Sequence, residues 1–150
     1  MSEVDQISAR ILRTLEQDGR ISNLDLAERV GLSPSACLRR VNALERSGVI
    51  KGYRARLDPE QVGRGYVVYV AVGLSVHSKE AQEGFERAMG RFEEVRECHN
   101  IAGAFEYLLR VETGDLRAYK AFHTDRLGTV AHVRSITSYM VMGTTKDERG

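Results

Sequence analysis

Ser35, Arg39, Asn42 and Arg46 recur at i, i+4, i+7 and i+11 within "SPSACLRRVNALERSG". On a helix this spacing aligns the four side chains on one stripe. Their types are those that read base edges: arginine grips guanine in bidentate fashion, asparagine grips adenine, and serine serves either donor or acceptor. Small residues at the N-terminal end of the stripe, Ser35 and Ala36, let a helix enter a major groove about 12 Å wide. Arg39 is the expected base reader, with Ser35, Ala36 and Asn42 beside it and Arg46 farther along. Ser33, which caps the same helix, completes that surface. Arg40 lies about 100° around the helix. Together with Lys51 and Arg54 of the following "IKGYRARL" it is placed for phosphates. Other chemistry-bearing residues form no comparable pattern. Cys98 and His99 are adjacent but lack further cysteine or histidine at zinc spacing. His77, His99, His123 and His132 are scattered, with no nucleophile paired to a base. Neither a metal, a cofactor nor a catalytic centre is expected.

The stripe needs a scaffold, and the flanking sequence supplies one. Val4, Ile7, Ile11 and Leu15 recur at helical spacing until "EQDGR" interrupts them at Gly19. In "SNLDLAERVG" Ser22 is an N-cap, Asp25 completes an approximate capping box, and Gly31 suits the C-terminal turn. Ser33 then caps a third helix and Pro34 occupies its first position, where a missing N–H costs nothing. Cys37, Leu38, Val41 and Leu44 are its expected buried side, and Gly48 ends it. Two short helices joined by a three-residue turn after a longer one predict a helix-turn-helix. The charge agrees. Residues 33–58 hold six basic side chains against two acidic ones, a local +4 in a chain whose formal net charge is +1.

Residues 57–65, "LDPEQVGRG", read as a linker between a domain at 1–56 and a second at 66–150. In the second, "YVVYVAVGLSV", "EVRECHNI", "EYLLRVET" and "HVRSITSYMVM" read as strands. "SKEAQEGFERAMGRF" and "DLRAYKAFHTDRL" carry helical patterns, the latter through Leu116, Tyr119 and Phe122. The order β-α-β-β-α-β predicts an α+β chain: a winged-helix-like helix-turn-helix followed by a ferredoxin-like domain with both helices on one sheet face. The bare face is expected to meet a second copy. No run approaches the roughly 20 apolar residues of a membrane span, and the N-terminus has no signal-peptide pattern. With two cysteines far apart, a reducing cytoplasm is the expected setting.

Nearly the whole chain resembles the Lrp/AsnC, or feast–famine, regulators. The most specific stretch is "GRISNLDLAERVGLSPSACLRRVNALERSGVIKGY", supported by "IAGAFEYLLRVE" in the second half. The resemblance implies a transcription factor that binds double-stranded DNA, forms a homodimer and then a tetramer or octamer, and senses a small amino acid between its C-terminal domains. It places the effector at the turn Ala102, Gly103, Ala104, Phe105 and Glu106, where Ala104 replaces a common aspartate. Ser135 and Thr137 of the last strand are candidates to line the same site. Two alternatives stand beside it. One is an architectural DNA-binding protein without a ligand. The other is an enzyme similar to the sirohaem decarboxylases, which resemble these regulators in fold.

Overall fold

The computed structural model describes residues 4–149, in two compact units that divide after Ala55. In the first, helices α1 (Gln6–Gln17), α2 (Asn23–Val30) and α3 (Pro34–Arg46) enclose Ile11, Leu26, Ala27, Val30, Cys37 and Leu44. Each helix starts at a side-chain cap. Asp5, Ser22 and Ser33 accept from the backbone N–H groups of Ser8, Asp25 and Ala36. Val4, included in the sequence pattern, precedes the Asp5 cap and is exposed. Gly31, at φ 74°, turns the chain out of α2, a left-handed conformation in which a side chain is strained. Asn23 Nδ2 donates to the Pro34 carbonyl at 2.8 Å, fastening the start of α2 to the start of α3.

The second unit contains β1 (Tyr66–Leu74), α4 (Lys79–Met89), β2 (Val95–Asn100), β3 (Tyr107–Thr113), α5 (Leu116–Ala121) and β4 (Val133–Met140). A π-helical turn (Phe122–Arg126) and a 3₁₀ turn (Leu127–Thr129) carry the chain from α5 towards β4. The sheet is antiparallel in the order β2-β3-β1-β4, as a split β-α-β pattern requires. Alternation sorts its two faces. Val68, Val70, Val72 and Leu74 of β1 and Tyr107, Leu109 and Val111 of β3 are buried with Phe85, Met89, Tyr119, Phe122 and Leu127. The opposite face presents Val67, Tyr69, Leu108, Arg110, Glu112, Thr137 and Tyr139.

Two expectations are corrected. Leu38 is 49% exposed, because Cys37, Val41 and Leu44, spaced i, i+4 and i+7, already fill the seam of α3. Leu116 is 57% exposed: it opens α5 one turn before the buried Tyr119. The sheet face away from the helices is mixed, presenting Arg110 and Glu112 beside Val67, Tyr69 and Leu108. Residues 141–149 reach across part of it, with Asp147 4.0 Å from Arg110 and Arg149 bonded to Glu97 and the Tyr69 hydroxyl. Residues 57–65 form a hydrogen-bonded turn within the second unit, the Arg64 N–H donating to the Pro59 carbonyl at 2.7 Å.

Candidate nucleic-acid interface and effector site

Helix α3 has one buried and one open side. Cys37 and Leu44 are enclosed, whereas Ser35, Arg39, Asn42 and Arg46 are all exposed along the opposite stripe. Ser33 is exposed, and Ala36 is half-buried beside the stripe. The open Leu38 adjoins Arg39. It is an apolar side chain on the reading side, and an apolar contact is what a thymine methyl offers. No sequence rule separated it from the core, since its neighbours Cys37 and Val41 face inward.

Arg40 is engaged differently from the others. Its Nη1 donates to Asp5 Oδ2 at 2.6 Å and to Ser8 Oγ at 3.4 Å, so it braces α3 against the start of α1. The Arg40 guanidinium and the Ser8 N–H hold the Asp5 carboxyl down to about 2. After α3 the segment 51–57 has no regular element, and Lys51 and Arg54 are exposed on it. Tyr53 donates to Glu45 Oε1 at 2.9 Å and holds this segment to α3. Lys51 and Arg54 therefore lie in the same compact unit as the stripe.

The second candidate site gathers at one end of the sheet. Ile101 N–H donates to the Glu106 carbonyl at 2.9 Å and closes the loop in which Ala102, Gly103 and Ala104 are exposed and Phe105 is half-buried. Gly103 has φ 159°, at the border of the range that favours glycine, and open space lies where a Cβ would point. Glu106 turns its carboxylate back to β1. Its Oε2 accepts from the Leu74 N–H at 2.8 Å, and its Oε1 lies 3.0 Å from His77 Nδ1. Ser135 pairs opposite Gly73, and a Cβ on Gly73 would strike its Oγ and approach Glu106 Oε2 at 3.6 Å. Glu106 and Ser135 are thus brought together around Gly73. Thr137 lies opposite Ala71, two residues along the same face. Sequence reasoning missed Gly73 and His77. Only the strand pairing reveals that a glycine is needed where two side chains converge.

Tyr107, next to Glu106, donates to Glu86 Oε1 at 2.6 Å, and burial followed by Glu86 raises its pKa. Cys98 and Cys37 are free thiols, one in each unit. Desolvation and the nearby Glu86 push the Cys98 thiol up to about 11, so at neutral pH it is protonated. Among the described residues no group of three His, Cys, Asp or Glu could hold a metal ion, and no helix is long and apolar enough to cross a membrane.

Comparison with known proteins covers both units. Residues 4–51 match a winged helix-turn-helix DNA-binding family, and residues 67–150 match the Lrp/AsnC ligand binding domain. The leucine-responsive regulatory protein of Escherichia coli is 40% identical over 144 residues, which are 96% of this chain and 88% of that protein. Among solved structures, a transcriptional regulator of Neisseria meningitidis in complex with L-Met superposes with a TM-score of 0.92 at 34% identity, covering 97% of this chain and 94% of that one. A feast or famine regulatory protein of M. tuberculosis complexed with L-methionine gives a TM-score of 0.85 at 35% identity, covering 99% and 98%. The chain belongs to the Lrp/AsnC family of DNA-binding transcriptional regulators.

Proposed function

We propose that this protein regulates transcription as a homo-oligomer that reads DNA with α3 and adjusts its affinity when a small amino acid binds beside the 102–106 loop. The observation that carries the reading is the open stripe of α3: four polar or cationic side chains exposed on a helix capped at Ser33 and packed through its opposite side. Arg39 meets a base edge, flanked by Ser35, Ala36, Asn42 and Arg46, with Leu38 beside it. Ser33, Lys51 and Arg54 contact phosphates and set the register. Arg40 acts one step back, through the Asp5 brace.

The effector is a neutral amino acid. Exposed backbone at Ala102, Gly103 and Ala104 receives its carboxylate, and Glu106 and Ser135 lie where its ammonium is held. Two relatives were solved with L-methionine, which supports an uncharged side chain. Ala104 adds no second acid to attract a cationic one. The output is transcriptional, with no catalytic step. Ligand changes DNA affinity by favouring one assembly or domain arrangement over another.

Calorimetry over the twenty amino acids tests the site, on the natural chain and on Ala104→Leu and Glu106→Gln. Both substitutions fall on the loop without removing a buried apolar side chain. Binding to the natural chain that both variants lose by about ten-fold or more supports the location. Equal binding by all three places the pocket elsewhere, and binding by none removes the amino-acid effector.

A further inference from the structure

Glu106 holds its carboxylate where water has little access: the side chain is 19% exposed. A carboxylate so placed is stabilised by donors on both of its oxygens. One donor belongs to the backbone. Oε2 accepts from the Leu74 N–H at 2.8 Å and lies against β1 at Gly73. The other donor is His77, whose Nδ1 lies 3.0 Å from Oε1. An ionised carboxylate only accepts, so Nδ1 carries a hydrogen whether the ring is neutral or protonated.

The segment that carries His77 is fixed at both ends and open between them. Residues 75–78 join β1 to α4. Ser75 N–H donates to the His132 carbonyl at 2.9 Å, and Ser78 Oγ accepts from the Ala81 N–H at 3.2 Å as the cap of α4. Between these two anchors Val76 and His77 are exposed, the His77 side chain to 69%. Among the described residues Glu106 is the one polar partner of the ring. The next cation, Lys79, is turned along its own helix, 3.7 Å from Glu83. The imidazole can therefore leave Oε1 by rotating into water, while the backbone that carries it stays in place.

We propose that His77 is a specificity-determining residue of the effector site: it stands on the Glu106 oxygen that the effector's ammonium takes, and the ammonium displaces it. This rests on the effector reading given above and deepens it. In the empty site His77 supplies the second donor that a mostly covered carboxylate needs. An arriving ammonium offers a better donor to the same oxygen, but only after the His77 bond is broken. His77 thereby lowers the affinity for ligands that carry an ammonium and sets the concentration at which the site fills. A carboxylate without an amino group leaves His77 on Oε1 and gains or loses nothing from it.

Titration calorimetry on the full chain tests the proposal, with L-methionine and with 4-(methylsulfanyl)butanoate, the same molecule without its amino group. L-Methionine is the probe because two relatives were solved with it. His77→Ala binds L-methionine about three- to ten-fold more tightly than the natural chain, the weight of one hydrogen bond, and gains nothing for the analogue. His77→Asn, which keeps a side-chain N–H near the place of Nδ1, brings L-methionine back to within about two-fold of the natural affinity. In a Glu106→Gln background the gain from His77→Ala disappears. Equal or weaker binding of L-methionine by His77→Ala, or an equal gain for both ligands, overturns the proposal and leaves the effector site standing. No binding of L-methionine to either chain overturns the proposal together with the effector reading for this amino acid.

Discussion

Gly73→Ala addresses the part of the effector end that only the folded chain exposes. A Cβ at this position strikes Ser135 Oγ and lies 3.6 Å from Glu106 Oε2. The Glu106 carboxylate is fixed by the Leu74 N–H at 2.8 Å, so the displacement falls first on Ser135. Turning one short side chain off its rotamer costs about 0.5–1.5 kcal/mol. Overpacking a tight site costs about 1–3 kcal/mol. Because the obstacle is a single mobile hydroxyl, the lower part of these ranges applies, about 1 kcal/mol. In a unit of this size that lowers the midpoint by roughly 4–8 °C. Differential scanning calorimetry of Gly73→Ala, Ser135→Gly and the double variant reads the effect. Removing the Ser135 hydroxymethyl group should restore the double variant to the midpoint of Ser135→Gly alone. Effector affinity should fall about five- to ten-fold in Gly73→Ala, as Ser135 and Glu106 are re-aimed. A Gly73→Ala protein that melts and binds like the natural chain, or whose defect survives Ser135→Gly, refutes the convergence of these side chains on Gly73.

Three further outcomes are expected. Arg39→Ala should cost about 1–3 kcal/mol on a specific duplex and relax discrimination at one base pair. Lys51→Ala should instead weaken specific and random duplexes alike and lower the salt dependence; a competition titration separates the two. The Asp5 carboxylate, held down to about 2 by Arg40 and Ser8, stabilises the N-terminal unit fully above about pH 4 and loses that contribution as pH falls towards 2. Asp5→Asn, which retains a side-chain cap, should flatten this acid limb in thermal melts between pH 5 and 2. Sedimentation of residues 56–150 should give at least a dimer, since half-buried Val67, Tyr69 and Leu108 on the open sheet face need cover. A folded monomer at micromolar concentration contradicts that expectation.

Local rules read the elements well wherever a cap or a period governed them. Ser22, Ser33 and Ser78 all cap the helices they precede in sequence, and period-two burial in β3 follows the alternation of "YLLRVET". Legibility failed where tertiary contacts chose between neighbours. Leu38 and Leu116 carry the right side chain for a core, but adjacent positions had already filled the seam. Its position around the helix sets Arg40 apart from Arg39 in sequence, but only the packing of α1 against α3 brings Asp5 to it. The α5 pattern continued to Leu127, while the chain passes there through a π-helical turn that no residue announces. Loop 102–106 was legible through the family resemblance. The glycine on which Glu106 and Ser135 converge was not, because it lies 29 residues before Ala102 in sequence and beside the loop in space.

The central claim is that one chain reads a DNA sequence and answers to an amino acid. A fluorescence titration tests it most directly, comparing a duplex from immediately upstream of the protein's own coding sequence with a scrambled duplex, each with and without every amino acid in turn. At physiological salt the natural duplex should bind about 10³-fold or more tightly than the scrambled one. At least one neutral amino acid should shift that affinity by about 5- to 150-fold, with DNA shifting the amino acid's affinity by the same factor. Equal affinity for the two duplexes, or an affinity that none of the twenty amino acids moves, contradicts the account.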